Sequence, residues 1–161
     1  MELPKTFEEL LSLAPQKVKD LIEGLKDLRE RPDYHPEPNA REHVKIVTER
    51  LILTGDPDLI MSGLFHDITK KLDAKINPKT GWPTSPGHDR GGARIAREHS
   101  DFVQSMGANI DNVFEICEQH MRVKQINDMR PKKQEALKNL PTWKKLEIFT
   151  LADNMLSEFS V

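Results

Sequence analysis

Apolar residues recur at three- and four-residue spacing through most of this chain, in blocks separated by proline and glycine. That is the pattern of amphipathic helices sharing a core. Thr6 followed by Glu9 resembles a capping box and predicts a short helix over roughly 7–13. Pro15 suits the first turn of a second helix, with Val18, Leu21, Ile22, Leu25 and Leu28 on one face and an end near Arg31-Pro32. The run Tyr34-His35-Pro36-Glu37-Pro38-Asn39 is too rich in proline for a helix. Asn39 caps the next one, with Val44, Val47 and Leu51 inward and His43 at the edge of that face. Gly55-Asp56-Pro57 stops it. Asp56 or Asp58 then opens a helix that carries His66-Asp67 and runs to about Leu72.

Residues 73–90 read as a long loop containing Trp82 and ending in His88, and loops of that length in a compact domain are usually functional or mobile. A helix starting near Gly91-Gly92 carries Ala93, Ala96 and Val103 to about Met106, where Gly107 closes it. Another spans roughly 110–123, with Val113, Ile116, Cys117 and His120 on one stripe. After Arg130-Pro131-Lys132-Lys133 a polar segment leads to Pro141, and a last helix over about 143–158 turns Leu146, Phe149, Asp153 and Leu156 inward. No segment alternates with period two. The expected fold is all-α, one compact domain over 1–161 of about six to seven helices, residues 1–32 packing on a core built from 34–161.

Composition narrows the classes. At 161 residues the chain is long enough for one real core. With 31% charged residues and a formal net charge of −2 it is not a general nucleic-acid binder, and it carries no recognisable DNA-binding motif. The lone Cys117 excludes an internal disulfide and fits a reducing compartment. With no long apolar run and no leader pattern, the expectation is a cytoplasmic protein without membrane insertion.

The chemistry centres on Gly63-Leu64-Phe65-His66-Asp67-Ile68-Thr69-Lys70. In a continuous helix Gly63, His66, Asp67 and Lys70 fall along one stripe, presenting two metal ligands with an ammonium one turn beyond. Asp153 interrupts an apolar stripe, where an unpartnered carboxylate is far more costly than an ordinary missing hydrogen bond. His120 shares the face of Val113, Ile116 and Cys117. Taken singly, Asp153, His120, His43 and His88 each read as structural or solvated residues. Taken together, His43, His66-Asp67, His88, His120 and Asp153 come from five elements of a chain with six histidines. Imidazole and carboxylate without thiolate suit Mn, Fe, Co, Ni or Zn, with Mg a further option. Such a site is hydrolytic by default.

The order His, His-Asp, His, His, Asp resembles the HD-domain metal-dependent phosphohydrolases, from about residue 34 to the C-terminus. It is most similar to the HD domain of bacterial CCA-adding tRNA nucleotidyltransferases. The matching pieces are Tyr34-His35-Pro36-Glu37 with His43, Phe65 to Lys70, Pro86-Gly87-His88-Asp89-Arg90-Gly91-Gly92-Ala93, Gln119-His120 and Leu151-Ala152-Asp153. Two departures stand out. Thr69 occupies a position where the family usually has glycine, which would tighten space beside the metal, and the chain is too short for a nucleotidyltransferase domain.

The resemblance implies that His43, His66, Asp67 and Asp153 hold a first metal. His88 and His120 would bring in a second or touch the phosphate, with Asp67 bridging. It casts Lys70 as stabiliser of developing charge, His35 as a phosphate contact or proton donor, and Glu37 as a pocket residue. Apart from the resemblance, Arg94 and Arg122 either offer guanidinium forks for phosphate or are functionally neutral surface residues. Trp82 either stacks a base or anchors its own loop. The implied activity is hydrolysis of a phosphoester of a nucleotide or RNA end, as phosphomonoesterase or 2′,3′-cyclic phosphodiesterase. The alternatives are a non-hydrolytic nucleotide- or RNA-binding regulator and a purely structural helical protein. The basic residues from Arg122-Val123-Lys124 to Arg130-Pro131-Lys132-Lys133 are either an RNA guide or solvated charge.

Overall fold

The computed structural model describes residues 2–156 and 158–160. Within them run α1 (Phe7–Ser12), α2 (Gln16–Gly24) continued by a 3-10 turn (Leu25–Asp27), α3 (Ala40–Ile52), α4 (Pro57–Phe65) and the one-turn α5 (Lys70–Asp73). A two-stranded antiparallel hairpin follows, β1 (Lys75–Ile76) and β2 (Pro83–Thr84), pairing Lys75 with Thr84 and Ile76 with Pro83. Then come α6 (His88–Glu98), α7 (Ser100–Ser105), α8 (Ile110–Lys124), a 3-10 turn (Ile126–Asp128), α9 (Pro131–Lys138) and α10 (Trp143–Asp153). The fold is all-α.

The caps behave as their chemistry requires. Thr6 accepts from the Glu9 N–H, Asn39 from Glu42, and Asp56 from Asp58, each satisfying a donor that the first helical turn leaves open. Gly107 ends its helix with φ of 86°.

The ten α-helical segments among the described residues exceed the expected six to seven, for identifiable reasons. Tight turns split two of the expected helices, at His66–Thr69 and at His99. The polar stretch after Arg130 folds as α9, with Pro131 in its first turn and Leu137 its one buried residue. The last helix stops at Asp153 rather than near 158, so Leu156 is 69% exposed instead of inward; residue 157 lies outside the described residues. Helix α6 starts at His88 itself, and the hairpin shortens the expected 73–90 loop.

Helix α8 is the central strut, packed on α4, α6 and α10, while α3 packs on α4. One apolar cluster joins Phe7, Val18, Ile22 and Leu25 to Val44, Leu64 and Phe65. A second joins Val47, Leu51 and Leu59 to Ile116, Leu146 and Phe149. The inner ends of α3, α4, α6, α8 and α10 meet around one buried polar cluster.

Candidate metal centre

The turn after α4 sets the geometry. From His66 to Thr69 the backbone leaves the α-helical ladder for tighter bonds, Ile68 N–H to Phe65 carbonyl and Lys70 N–H to Asp67 carbonyl. His66 and Asp67 therefore lie in a break between helices, not inside the continuous helix expected. The His66 imidazole compensates, its Nδ1 lying 2.7 Å from the Gly63 carbonyl that an unbroken helix would offer to Asp67.

Close approach of α6 brings in His88. A Cβ at Gly92 would collide with the Phe65 carbonyl, so glycine lets α6 lie against the backbone of the turn. A Cβ at Gly91 would meet the Thr69 hydroxyl. Thr69 thus points toward α6 and donates to Asp73 Oδ2 at 2.9 Å, its hydroxyl accommodated by the missing side chain of Gly91.

Four histidines and two aspartates converge, all buried. Each histidine has its Nδ1 against an acceptor: His43 on Glu37 Oε1 (3.0 Å), His66 on Gly63 O (2.7 Å), His88 on Ser85 O (2.8 Å) and His120 on Cys117 O (2.6 Å). An acceptor there holds the Nδ1 proton and turns Nε2 inward, the nitrogen that would meet a metal once its own proton is displaced. All four Nε2 atoms face carboxylate oxygen. His43 Nε2 lies 2.8 Å from Asp153 Oδ1 and 3.5 Å from Asp67 Oδ2. His66 Nε2 is 3.2 Å from Asp67 Oδ2, while His88 and His120 Nε2 are 3.2 and 3.6 Å from Asp67 Oδ1. Despite these distances the Nε2 atoms of His66, His88 and His120 make no aligned hydrogen bond. Three buried, unpartnered nitrogens aimed at a shared carboxylate fit a cation among them. Asp67 separates the ligands into two sets, with His43 and His66 on one side and His88 and His120 on the other, either positioned to hold a metal.

Burial would raise the Asp67 carboxyl, but the charges of His66 and Lys70 hold it well below the usual carboxylate range. Asp153 is also held well below, burial being outweighed by Lys124 and the imidazoles of His43 and His66. Burial alone would depress His66; Asp67 and Asp153 lift it instead to about 10, and His43 is raised by Asp153 and Glu37 against the same penalty. His120 shifts downward, burial dominating.

The remaining candidate residues separate clearly. Lys70 is buried, with Nζ 3.3 Å from Asp67 Oδ2 and 2.9 and 3.1 Å from the two Glu30 oxygens. His35 stands edge-on to His43, ring centroids 5.0 Å apart, with burial and Lys70 lowering its pKa. Glu37 buttresses His43. Arg94 does not join the group: it pairs with Glu98 on an exposed face of α6. Arg122 is exposed and donates to Gln119. The Arg29 guanidinium lies 5.8 Å from the centre of the Trp82 ring, tying the hairpin to the segment after α2. Sequence reasoning missed Glu30, which no motif or periodicity marks, and the contact between Lys124 and Asp153.

Two solvent-open clefts reach the cluster. One of about 380 Å³ runs under the hairpin past Glu30, Lys70, Ser85 and His88. The other, about 820 Å³, is lined by Lys124, Gln125, Thr150, Asp153 and Met155. Both share Tyr34, His35 and Met121. No helix among the described residues is long and apolar enough to cross a membrane.

Comparison with known proteins identifies the family. A family model described as HD domain matches residues 40–157. The chain is 23% identical over 128 residues to multifunctional CCA proteins of Vibrio vulnificus strains YJ016 and CMCP6, and 22% identical over the same length to that of Vibrio campbellii. Each match covers 78% of this chain but 30% of the relative. No solved structure matches it.

Proposed function

The chain belongs to the HD domain family, and from that premise we propose that it is a metal-dependent phosphohydrolase acting on a phosphoester of a nucleotide or RNA end. The observation that carries the reading is the convergence of four Nε2 atoms, each fixed by an Nδ1 partner, on Asp67 and Asp153. His43, His66, Asp67 and Asp153 would hold a first ion, and His88 and His120 a second, with Asp67 between them. A bound divalent transition metal supplies Lewis acidity, which makes water nucleophilic at neutral pH and shields the phosphoryl oxygens.

The chain's own groups do the rest. Glu37 fixes the ring of His43, and the carbonyls of Gly63, Ser85 and Cys117 fix the other three. Burial excludes bulk water, which strengthens each charge interaction in the cluster. His35, at the junction of the clefts, is disfavoured as imidazolium by its burial. Its ring is placed to donate a hydrogen bond to the ester or to accept a proton from it. Glu30 matches the charge of Lys70, so Lys70 serves chiefly to hold Asp67 ionised.

The test is a panel of nucleoside 2′-, 3′- and 5′-monophosphates, 2′,3′-cyclic nucleotides and triphosphates, assayed after chelation and after reloading with Mn, Co or Ni. Turnover that vanishes on chelation, returns with metal and is absent from folded Asp67→Asn supports the reading. Undiminished turnover by that variant contradicts it.

A further inference from the structure

Two lysines reach the two aspartates of the cluster, in different electrostatic circumstances. Lys70 lies against Asp67, but Glu30 grips it with both carboxylate oxygens, and both side chains are close to fully buried, at 7% and 11% exposure. Its charge is matched on the spot. Lys124 lies 2.5 Å from Asp153 Oδ2, an oxygen that makes no directed hydrogen bond. Among the described residues Asp153 is its one ion-pair partner, and Lys124 remains 34% exposed on the rim of the larger cleft.

Position on α8 explains the reach. Lys124 follows His120 by four residues, so it shares that face and overhangs the cluster from the cleft side. Its four-carbon stem lets the ammonium swing while the backbone stays fixed, and an ammonium binds phosphate as a point charge. A divalent ion held by the imidazoles and Asp153 would weaken the hold of that carboxylate on Lys124 and let the ammonium turn to the cleft.

We infer that Lys124 is the phosphate-binding cation of this site, gripping a non-bridging phosphoryl oxygen from the larger cleft, while Lys70 is committed to Glu30 and Asp67. The inference rests on the proposed phosphohydrolase reading.

The experiment is calorimetry on the full chain and on Lys124→Met, titrated first with Mn²⁺ alone and then, once loaded, with inorganic phosphate. Lys124→Met is expected to bind Mn²⁺ at least as tightly as the parent, since a competitor for Asp153 is gone. Phosphate binding should weaken roughly 10- to 100-fold, the range for losing a hydrogen bond to a charged group. Lys124→Arg should recover most of it. Equal phosphate affinity in Lys124→Met overturns the inference, as does loss of Mn²⁺ binding in that variant, which would make Lys124 a support for Asp153 alone. Failure of the loaded parent chain to bind phosphate overturns it too. A parent chain that takes up no metal contradicts instead the hydrolase reading beneath it.

Discussion

His43 Nε2 lies 2.8 Å from Asp153 Oδ1, across a sequence separation of 110 residues. Helices α3 and α10 bring the pair together, and Glu37 Oε1 holds the other side of the imidazole at 3.0 Å. The carboxylate–imidazole–carboxylate line fixes the orientation of the ring and points Nε2 at the cluster.

Glu37→Gln tests that line. The amide keeps the volume and loses the charge that orients and enriches His43. Metal affinity should fall about 10- to 100-fold with the fold retained, the usual loss for an outer partner of a metal-bound histidine. Calorimetric titration with Mn²⁺ measures it; unchanged affinity would detach Glu37 from the site.

Acidity provides a second test. In the metal-free protein His66 is lifted to about 10 from its ordinary 6.5, and His43 is also raised. Raised folded-state values mean stability that is fully present below pH 6.5 and lost as pH rises toward those values. The downward shifts of His35 and His120 act below pH 6.5 and so do not oppose this loss. Denaturant unfolding of the metal-free chain should therefore show lower stability at pH 9 than at pH 7. Metal loading displaces the same protons, so affinity for Mn²⁺ should rise with pH and the binding heat should depend on the buffer. Flat stability across that window, with buffer-independent heats, would contradict the assignment.

Gly92→Ala tests the packing that delivers His88. The added methyl meets the Phe65 carbonyl, a backbone atom that cannot swing aside. Destabilisation of roughly 1–3 kcal/mol is expected from such overpacking, with weaker metal uptake because α6 and His88 move off Asp67. Denaturant unfolding and metal titration read the two effects.

Phe149→Ala probes the floor of the site. The Phe149 ring lies 5.1 Å from the His66 ring and 5.8 Å from that of His120, and is itself fully buried. The loss should be about 3–5 kcal/mol in unfolding free energy, larger than for any exposed position on α10.

Much of this was legible from periodicity. Asn39, Asp56 and Gly107 mark helix ends because capping is local chemistry, readable within four residues. The motif histidines and aspartates could be singled out because polar residues on apolar faces need partners. What stayed hidden depends on tertiary contact. The break at His66–Thr69 carries no proline or terminating glycine; tight-turn bonds and the approach of α6 at Gly92 accompany it. Helix α9 hides because it buries one residue. Glu30 and Lys124 look like solvated charges until folding sets them against Lys70 and Asp153.

The most direct measurement is metal stoichiometry: elemental analysis of the full chain loaded with Mn, Fe, Co, Ni or Zn and then desalted. The account predicts at least one tightly held ion per chain, lost from Asp153→Asn that still folds. A chain that retains no metal under any loading condition, or an Asp153→Asn variant that holds as much as the parent, would contradict it.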